Sequence, residues 1–168
     1  MTRTLIPAVL LFSLSSTASA GSPVRSGGNF GIGLGGGYWL NGLSLKYFNS
    51  DNTSLQGVIG AYGWGHDNGY YDYYYNDGIG FSGDFLWEMP AITKNEAFEL
   101  AWNAGLGPSV GINDSWFALG LHGTLGLEFN FNPIPIDLVL EYKPGLYVIP
   151  DVGADFWNFA GQIRIYPF

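Results

Sequence analysis

Few residues of this 168-residue chain could take part in catalysis. It has two histidines and no cysteine, so thiolate chemistry and disulfide bonds are excluded. A serine-type hydrolase needs a histidine beside the nucleophilic hydroxyl and an acid that orients the histidine. The nearest hydroxyl to His122 on the same segment is that of Thr124, and His66 stands beside Asp67 with no serine in the following loop. The sequence therefore contains no hydrolase motif, and we predict that the protein is not an enzyme.

Metal or cofactor binding is not indicated either. The two histidines lie far apart in the chain, whereas zinc ligands usually come at short, regular spacings. Asp67, Asp72 and Asp77 occur close together, but their spacing matches no calcium-binding loop. The glycine-rich run at residues 31–37 has no helix after it, and a dinucleotide site requires one. We therefore predict no metal ion and no cofactor.

Nine charged residues fall on the polar side of segments in which large apolar and small or polar residues alternate. This lumen charge network consists of Lys46, Asp84, Glu88, Glu99, Glu128, Asp137, Glu141, Lys143 and Arg164. If the polar side lines a barrel, the charges form either an ion path gated by exchangeable salt bridges or a static plug that fixes strand register. Because acids outnumber bases, we expect each base to be shared between carboxylates. Lys143→Met should then destabilise the protein, whereas Glu141→Gln should be nearly neutral.

A second candidate site is the tyrosine-rich segment at residues 66–77. Its five tyrosines are Tyr70, Tyr71, Tyr73, Tyr74 and Tyr75. Because tyrosine is favoured at protein interfaces, one interpretation is a surface loop that contacts an extracellular ligand. The other is an extended hairpin whose rings lie on lipid headgroups.

The elements that must position these residues are β-strands. In residues 116–132, odd positions hold Phe, Leu and one Gly, whereas even positions hold mostly small or polar residues. A period of two residues is that of a strand, and this run is longer than the roughly 5–6 residues of a typical soluble strand. Similar alternation predicts eight strands, which begin near residues 30, 43, 54, 79, 98, 116, 136 and 155.

Composition decides which face of these strands is inside. Charged residues make up 12 % of the chain, against about 25 % in typical soluble domains, and aromatic residues make up 17 %. Gly37-Tyr38-Trp39 imitates the Gly-x-Trp element of soluble lipocalin-like barrels. A barrel of that kind, however, would need an apolar interior and a charged exterior. An eight-stranded barrel leaves room inside for little more than small side chains, so the large apolar residues must face outward into lipid. The sequence predicts an all-β, eight-stranded antiparallel up-and-down transmembrane β-barrel.

The N-terminal residues have the pattern of an export signal. Arg3 precedes an apolar run at residues 5–14, and Ala18-Ser19-Ala20 matches a small-x-small cleavage site. We predict a signal peptide at residues 1–20, a flexible lead-in at residues 21–28 and the barrel domain at residues 29–168. The formal net charge of −8 argues against nucleic acid as a partner.

The C-terminal residues 161–168 form an amphipathic segment that ends in an aromatic residue. Together with the eight alternating segments, this ending resembles the small outer-membrane β-barrel proteins of Gram-negative bacteria, of the OmpX and OmpA-barrel type. The resemblance implies a location in the cell outer membrane, in contact with outer-membrane lipid. It also implies that Tyr166 and Phe168 form a C-terminal assembly signal, read by the outer-membrane insertion machinery. Tyr166 then belongs to the outward-facing aromatic belt at the periplasmic rim.

The same resemblance frames the expected function. We favour a non-enzymatic protein with a structural or surface-interaction role, in which the tyrosine-rich segment contacts an extracellular ligand. The alternatives are a lipid-modifying outer-membrane enzyme, which would hydrolyse lipid A or phospholipids, and a narrow, porin-like gated pore.

Overall fold

The computed structural model describes residues 28–37, 39–67, 72–131, 134–150 and 152–167, with only the backbone described at residues 63–67 and 72–77. The predicted signal peptide at residues 1–20, most of the lead-in, Tyr70, Tyr71 and Phe168 lie outside the described residues. The described part of the chain contains eleven strand segments. It includes no helix long and apolar enough to cross a lipid bilayer.

Antiparallel pairing joins the strand segments into one closed sheet. They are β1 (Phe30–Gly37), β2 (Leu40–Phe48), β3 (Thr53–Asp67), β4 (Asp72–Glu88), β5 (Thr93–Lys94), β6 (Phe98–Ile112), β7 (Phe117–Phe131), β8 (Ile136–Tyr142), β9 (Gly145–Ile149), β10 (Gly153–Asp155) and β11 (Phe159–Ile165). The sheet closes where β1 pairs with β11. β8 and β9 both pair with β7 and form one barrel strand, β10 and β11 form the last, and β5 is a short addition beside β6. The predicted all-β fold, an eight-stranded antiparallel barrel, is confirmed.

The even number of barrel strands gives the molecule two distinct ends. β1 begins and β11 ends at the same end, together with the connections β2–β3, β4–β6 and β7–β8. We call this the terminal end. The opposite loop end carries the connections β1–β2, β3–β4, β6–β7 and β9–β10.

Side-chain exposure follows the alternation predicted from the sequence. Leu34 and Leu121 point outward and are 66 % and 59 % exposed, whereas their neighbours Gly35 and Gly120 are buried. Other outward-facing, exposed residues include Ile59, Phe81, Leu106, Leu140 and Ile163. Buried residues at the inward positions include Ser44, Gln56, Asn103, Asn130 and Gln162. The barrel is therefore apolar outside and polar inside, which is the reverse of a soluble barrel.

The connection between β3 and β4 is shorter than the loop over residues 65–77 that the fading alternation suggested. β3 continues to Asp67 and β4 begins at Asp72, which is the extended hairpin of the second interpretation. Gly65 pairs with Tyr74, and His66 pairs with Tyr73. Most of the tyrosine-rich segment is therefore the backbone of an extended hairpin, because strand pairing continues past the point where the apolar alternation fades.

The seventh barrel strand is interrupted at Lys143 and Pro144, where a single strand was predicted. Proline has no backbone N–H to donate to a neighbouring strand. Its carbonyl still accepts a hydrogen bond of 2.9 Å from the backbone N–H of Gly123. Both Lys143 and Tyr147 are buried, so the inward and outward faces keep their phase across the break.

Candidate functional site

The structure places all nine residues of the lumen charge network inside the barrel. Eight of them are buried residues, and the side chain of Glu88 is only 7 % exposed. They come from β2, β4, β6, β7, β8, β11 and the break after β8, so the network reaches most of the barrel wall.

Near the terminal end, Lys46 lies between two carboxylates. Its Nζ is 2.9 Å from Oε1 of Glu88, and it donates a hydrogen bond to Oε1 of Glu128. Glu128 also accepts a hydrogen bond of 2.7 Å from Nδ2 of Asn103, and Glu88 accepts one from the hydroxyl of Ser54. One base therefore holds two like charges together in a buried site.

Arg164 is the second base near the terminal end, and it is fully buried. Its Nη2 lies 2.8 Å from Oδ2 of Asp137 and 4.0 Å from Oε1 of Glu128. Its Nη1 donates a hydrogen bond of 2.6 Å to Oε1 of Gln56, on the other side of the barrel seam. The Tyr166 hydroxyl donates a bond of 2.7 Å to Oδ2 of Asp137. The planar guanidinium thus joins β3, β7, β8 and β11.

A second cluster is centred on Asp84. Its Oδ2 accepts a hydrogen bond of 2.9 Å from Nζ of Lys143. Its Oδ1 lies 2.7 Å from Nε2 of His122 and accepts a bond of 2.6 Å from the Thr124 hydroxyl. Because hydroxyl and imidazole both bond to the carboxylate, the hydroxyl is not presented to the imidazole as in a hydrolase triad. Lys143 also lies 3.8 Å from Glu141.

Two glutamines that the sequence analysis missed connect these clusters. Nε2 of Gln56 and Nε2 of Gln162 donate hydrogen bonds of 2.7 and 2.6 Å to the two oxygens of Glu141. Gln56 also accepts from Arg164, so its amide links the Asp84 cluster to the terminal-end cluster. Alternation could have identified Gln56 as a lumen residue, because it stands at an inward position between Ser54 and Val58 in a segment predicted as a strand.

Each buried base contacts two acids. The pairs within 4.0 Å are Lys46 with Glu88 and Glu128, Lys143 with Asp84 and Glu141, and Arg164 with Asp137 and Glu128. Glu99 forms an ion pair with Lys94, an exposed base on β5. Nζ of Lys94 lies 3.0 Å from Oε2 of Glu99. In the described part of the chain every carboxylate of the network has a cation within reach, but acids remain in excess.

An aromatic pair closes the terminal end of the lumen. The rings of Phe48 and Tyr166 pack with centroids 5.9 Å apart, and Tyr166 is 0 % exposed. The predicted outward position of Tyr166 is therefore wrong. Its backbone N–H bonds to the carbonyl of Pro135 at 2.8 Å, so the strand phase continues past β11 and turns the ring inward. Glycine at position 31 makes room, because a Cβ there would lie 2.6 Å from the ring.

A larger aromatic cluster closes the loop end. The rings of Trp39 and Tyr147 are stacked, with centroids 4.1 Å apart and an interplanar angle of 10°. Tyr62 lies beside Trp39, and Gly80 and Gly111 provide its space, because a Cβ on either would meet its side chain at 2.6 or 2.5 Å. This cluster was not predicted, because Trp39, Tyr62 and Tyr147 come from segments that only the folding of the barrel brings together.

A cavity lies between the loop-end aromatic cluster and the Asp84 cluster. The free space between its walls is about 530 Å³, part of it open to solvent. Its lining includes the aromatic residues Trp39, Tyr62 and Tyr147 and the polar residues Ser82, Ser109, His122, Glu141, Lys143, Asn158 and Gln162. Nε1 of Trp39, one of the lining residues, donates a hydrogen bond of 2.6 Å to Oδ2 of Asp155.

The backbone of Tyr73, Tyr74 and Tyr75 belongs to the first part of β4, several residues before Asp84, where the lumen charge network begins on that strand. The described residues contain no group of three or more His, Asp or Glu side chains that could hold a metal ion. In comparisons with known proteins, no protein family, no curated protein and no solved structure matches the chain.

Proposed function

We propose that this protein is an integral outer-membrane β-barrel with a non-enzymatic, structural or surface-interaction role. One observation carries the proposal: large apolar side chains cover the outside of the barrel, and ion pairs fill the inside. A water-soluble barrel with this arrangement would expose an apolar belt far larger than the patches of a few hundred Å² found on soluble proteins. In lipid the same belt is favourable, and closure of the sheet satisfies its backbone groups.

Aromatic residues at the two rims of the barrel support a position across a lipid bilayer. Tyr47 and Trp87 are exposed near the terminal end, and Phe117 and Trp157 are exposed near the loop end, where Trp157 is 82 % exposed. Aromatic side chains of this kind favour the two interfaces of a bilayer, where an apolar ring can meet polar headgroups. The outward apolar residues between these rims would then contact lipid tails.

The filled lumen favours a structural role over an open pore. Hydrogen bonds cross it from Lys46 on β2 to Glu128 on β7, and from Arg164 on β11 to Gln56 on β3. Aromatic clusters close both ends. A network with its charges paired in this way stabilises one register of the strands and occupies space that an open pore would need for water.

The extended hairpin supports a role in surface contact. β2 pairs with β3 as far as Tyr62, and β6 pairs with β4 as far as Ile79. Beyond these positions β3 and β4 continue as a two-stranded ribbon, which carries the tyrosine-rich segment. A ribbon that projects past its neighbours would place this segment outside the membrane.

The location can be tested by expressing the full chain in a Gram-negative host. We expect N-terminal sequencing to begin at Gly21 and the protein to fractionate with outer membranes. Its electrophoretic mobility should change when the sample is heated before electrophoresis, as a folded barrel unfolds. Recovery as a soluble periplasmic protein would overturn the proposal.

The surface-contact role needs a separate experiment. Cells that display the wild-type protein are compared with cells in which the five tyrosines of the segment are replaced by serine. We expect equal amounts of folded barrel but reduced cross-linking to external protein in the serine variant. Equal cross-linking would leave the protein with a structural role only.

A further inference from the structure

We propose that β9 and β10 form a hinged flap over the loop-end cavity and that Trp39 is its latch. In the closed position the latch holds the flap against the connection between β1 and β2. When the latch releases, the flap swings outward on its β7 edge, and the cavity gains an entrance in the barrel wall between β1 and β10. This inference goes beyond the proposed function and does not depend on the membrane location, because it concerns the folded barrel itself.

The seventh and eighth barrel strands are interrupted at the same height, because β8 pairs with β11 directly below the interruption and β9 pairs with β10 directly above it. The interruption covers Lys143 and Pro144 on one strand and residues 156–158 on the other. A backbone hydrogen bond of 2.8 Å joins the two sides, from the N–H of Lys143 to the carbonyl oxygen of Asn158. Proline has no N–H with which to add a second. The flap is therefore weakly coupled to the strands below it.

Side-chain exposure shows that the strand pattern stops at this interruption. Phe156 and Trp157 are neighbours in sequence and both are exposed, whereas one of two neighbours in a regular strand faces inward. Oδ1 of Asp155 accepts a hydrogen bond of 2.8 Å from the backbone N–H of Trp157, which turns the chain locally at the end of β10. A kink at this point allows the flap to move relative to β11.

The flap is bound to the barrel wall along one edge. β9 pairs with β7 through four residue pairs, with a register shift between Leu119 and Gly120. On the other side of the flap, the pairing of β1 with β11 ends at Gly37. In the described part of the chain, β10 pairs with no strand other than β9. Segments with few strand pairs open at a lower free energy than the rest of a fold, so the free edge of β10 is where the wall opens first.

Trp39 holds this free edge through contacts with both strands of the flap. It lies in the connection between β1 and β2, and its ring stacks on Tyr147 of β9 with centroids 4.1 Å apart. Its Nε1 donates a hydrogen bond of 2.6 Å to Oδ2 of Asp155, the last residue of β10. A hydrogen bond to a carboxylate is stronger than one between neutral groups. One side chain therefore joins the flap to the opposite side of the seam.

The cavity lies next to this latch. Its lining includes Trp39, Tyr147 of the flap, Gly37 at the end of β1 and Asn158 below the flap. It also includes Ser82 on β4, which is only 7 % exposed. Because the lining reaches both sides of the seam, movement of the flap away from Trp39 exposes the inside of the cavity between β1 and β10.

The flap can be tested with a single introduced thiol, because the chain contains no cysteine. Ser82→Cys places the thiol in the cavity, and Ser54→Cys places it at a buried lumen position outside the cavity lining. Each protein is folded in zwitterionic detergent, and its reaction rate with a bulky methanethiosulfonate reagent is measured by mass spectrometry. The reaction rate of a protected group follows the population of the open form when opening and closing are fast.

Variants of the latch should make the cavity thiol more reactive. Trp39→Phe keeps a ring that can stack on Tyr147 but removes the indole N–H. In the Ser82→Cys protein we expect it to raise the reaction rate about tenfold or more, as for the loss of one hydrogen bond to a charged group. Asp155→Ala should have a similar effect, and the two together should add little, because both remove the same bond. The control Trp87→Phe removes an indole exposed on the outside and should leave the rate unchanged.

The thiol of Ser54→Cys distinguishes movement of the flap from general loosening of the barrel. Its reaction rate should be the same with and without Trp39→Phe. The proposal is overturned if the latch variants leave the rate of Ser82→Cys unchanged, or if the thiols at positions 82 and 54 become reactive to the same extent.

Discussion

Replacing Lys46 by methionine tests whether shared bases hold the lumen together. Methionine keeps most of the apolar stem but removes the ammonium group that contacts Glu88 and Glu128. Glu88 then loses its only cation within 4.0 Å in the described structure, and Glu128 keeps Arg164 at 4.0 Å. Removing one partner of a buried ion pair costs about 3–5 kcal/mol, and we expect a loss of that size here.

The matched variant is Glu88→Gln, which removes one of the two like charges instead. The oxygen that accepts from Ser54 and Lys46 is retained in glutamine. The other oxygen of Glu88 forms no hydrogen bond with a described residue, so the new amide group meets no competing donor there. Lys46 remains paired with Glu128, and we expect a change in the free energy of unfolding of no more than about 1 kcal/mol.

Both variants can be compared by urea unfolding in the same detergent or lipid, followed by tryptophan fluorescence, with the fraction of folded barrel checked on unheated gels. The midpoint should fall clearly for Lys46→Met and little for Glu88→Gln. Equal losses in the two variants, or a larger loss for Glu88→Gln, would refute the argument that acids in excess share each base.

The structure changes the choice of acid for this test. The sequence led us to expect that Glu141→Gln would be nearly neutral. However, both oxygens of Glu141 accept hydrogen bonds from amide groups, those of Gln56 and Gln162. A glutamine at 141 would place its own amide N–H₂ group against the N–H₂ group of Gln56 or Gln162. Gln56 cannot relieve this repulsion by turning its amide over, because its oxygen accepts a hydrogen bond from Arg164. We now expect Glu141→Gln to be destabilising.

Three further variants test the barrel itself. Leu121→Arg should cost about 2–4 kcal/mol if the residue faces the bilayer midplane, measured as the folded yield in lipid vesicles with Leu121→Ala as the control. A loss no greater than that of the alanine variant would argue against lipid at this position. Tyr166→Phe should lower the free energy of unfolding by about 1.5–3 kcal/mol through loss of the bond to Asp137, and an unchanged urea midpoint would show that this bond is not stabilising. Gly107→Ala should prevent folding, because a Cβ there would collide with the carbonyl oxygen of Gly83. The heat-dependent gel shift should then be lost, and normal folding would contradict the close approach of these strands.

The fold could be predicted because its main determinant is local. Period-two alternation assigns each side chain to a face, and the small residues fit only the inside of a narrow barrel. The same rule, followed strictly, would have placed Tyr166 inside, since it shares the parity of Arg164. The outward position was inferred from the resemblance instead, and the structure shows that parity was the better guide.

The partners within the site could not be predicted because they depend on closure of the sheet. Lys46 and Glu128 are separated by 82 positions, and Gln56 and Arg164 by 108. Alternation places these residues inside but does not state the heights at which they meet. The loop-end cavity was missed for a related reason, because the inward turn of Trp39 depends on Tyr147 and Asp155, which lie far away in sequence.

These long separations have a consequence for the order of assembly. The bond from Lys46 to Glu128 and the bond from Arg164 to Gln56 can form only when β1 and β11 meet. A half-formed sheet that entered lipid would carry unpaired charges into a medium without water, where each costs several kcal/mol. If the barrel spans a membrane as proposed, the chain must close its seam before, or while, the strands leave the aqueous phase. The charges that stabilise the finished barrel would then also oppose insertion of an open one.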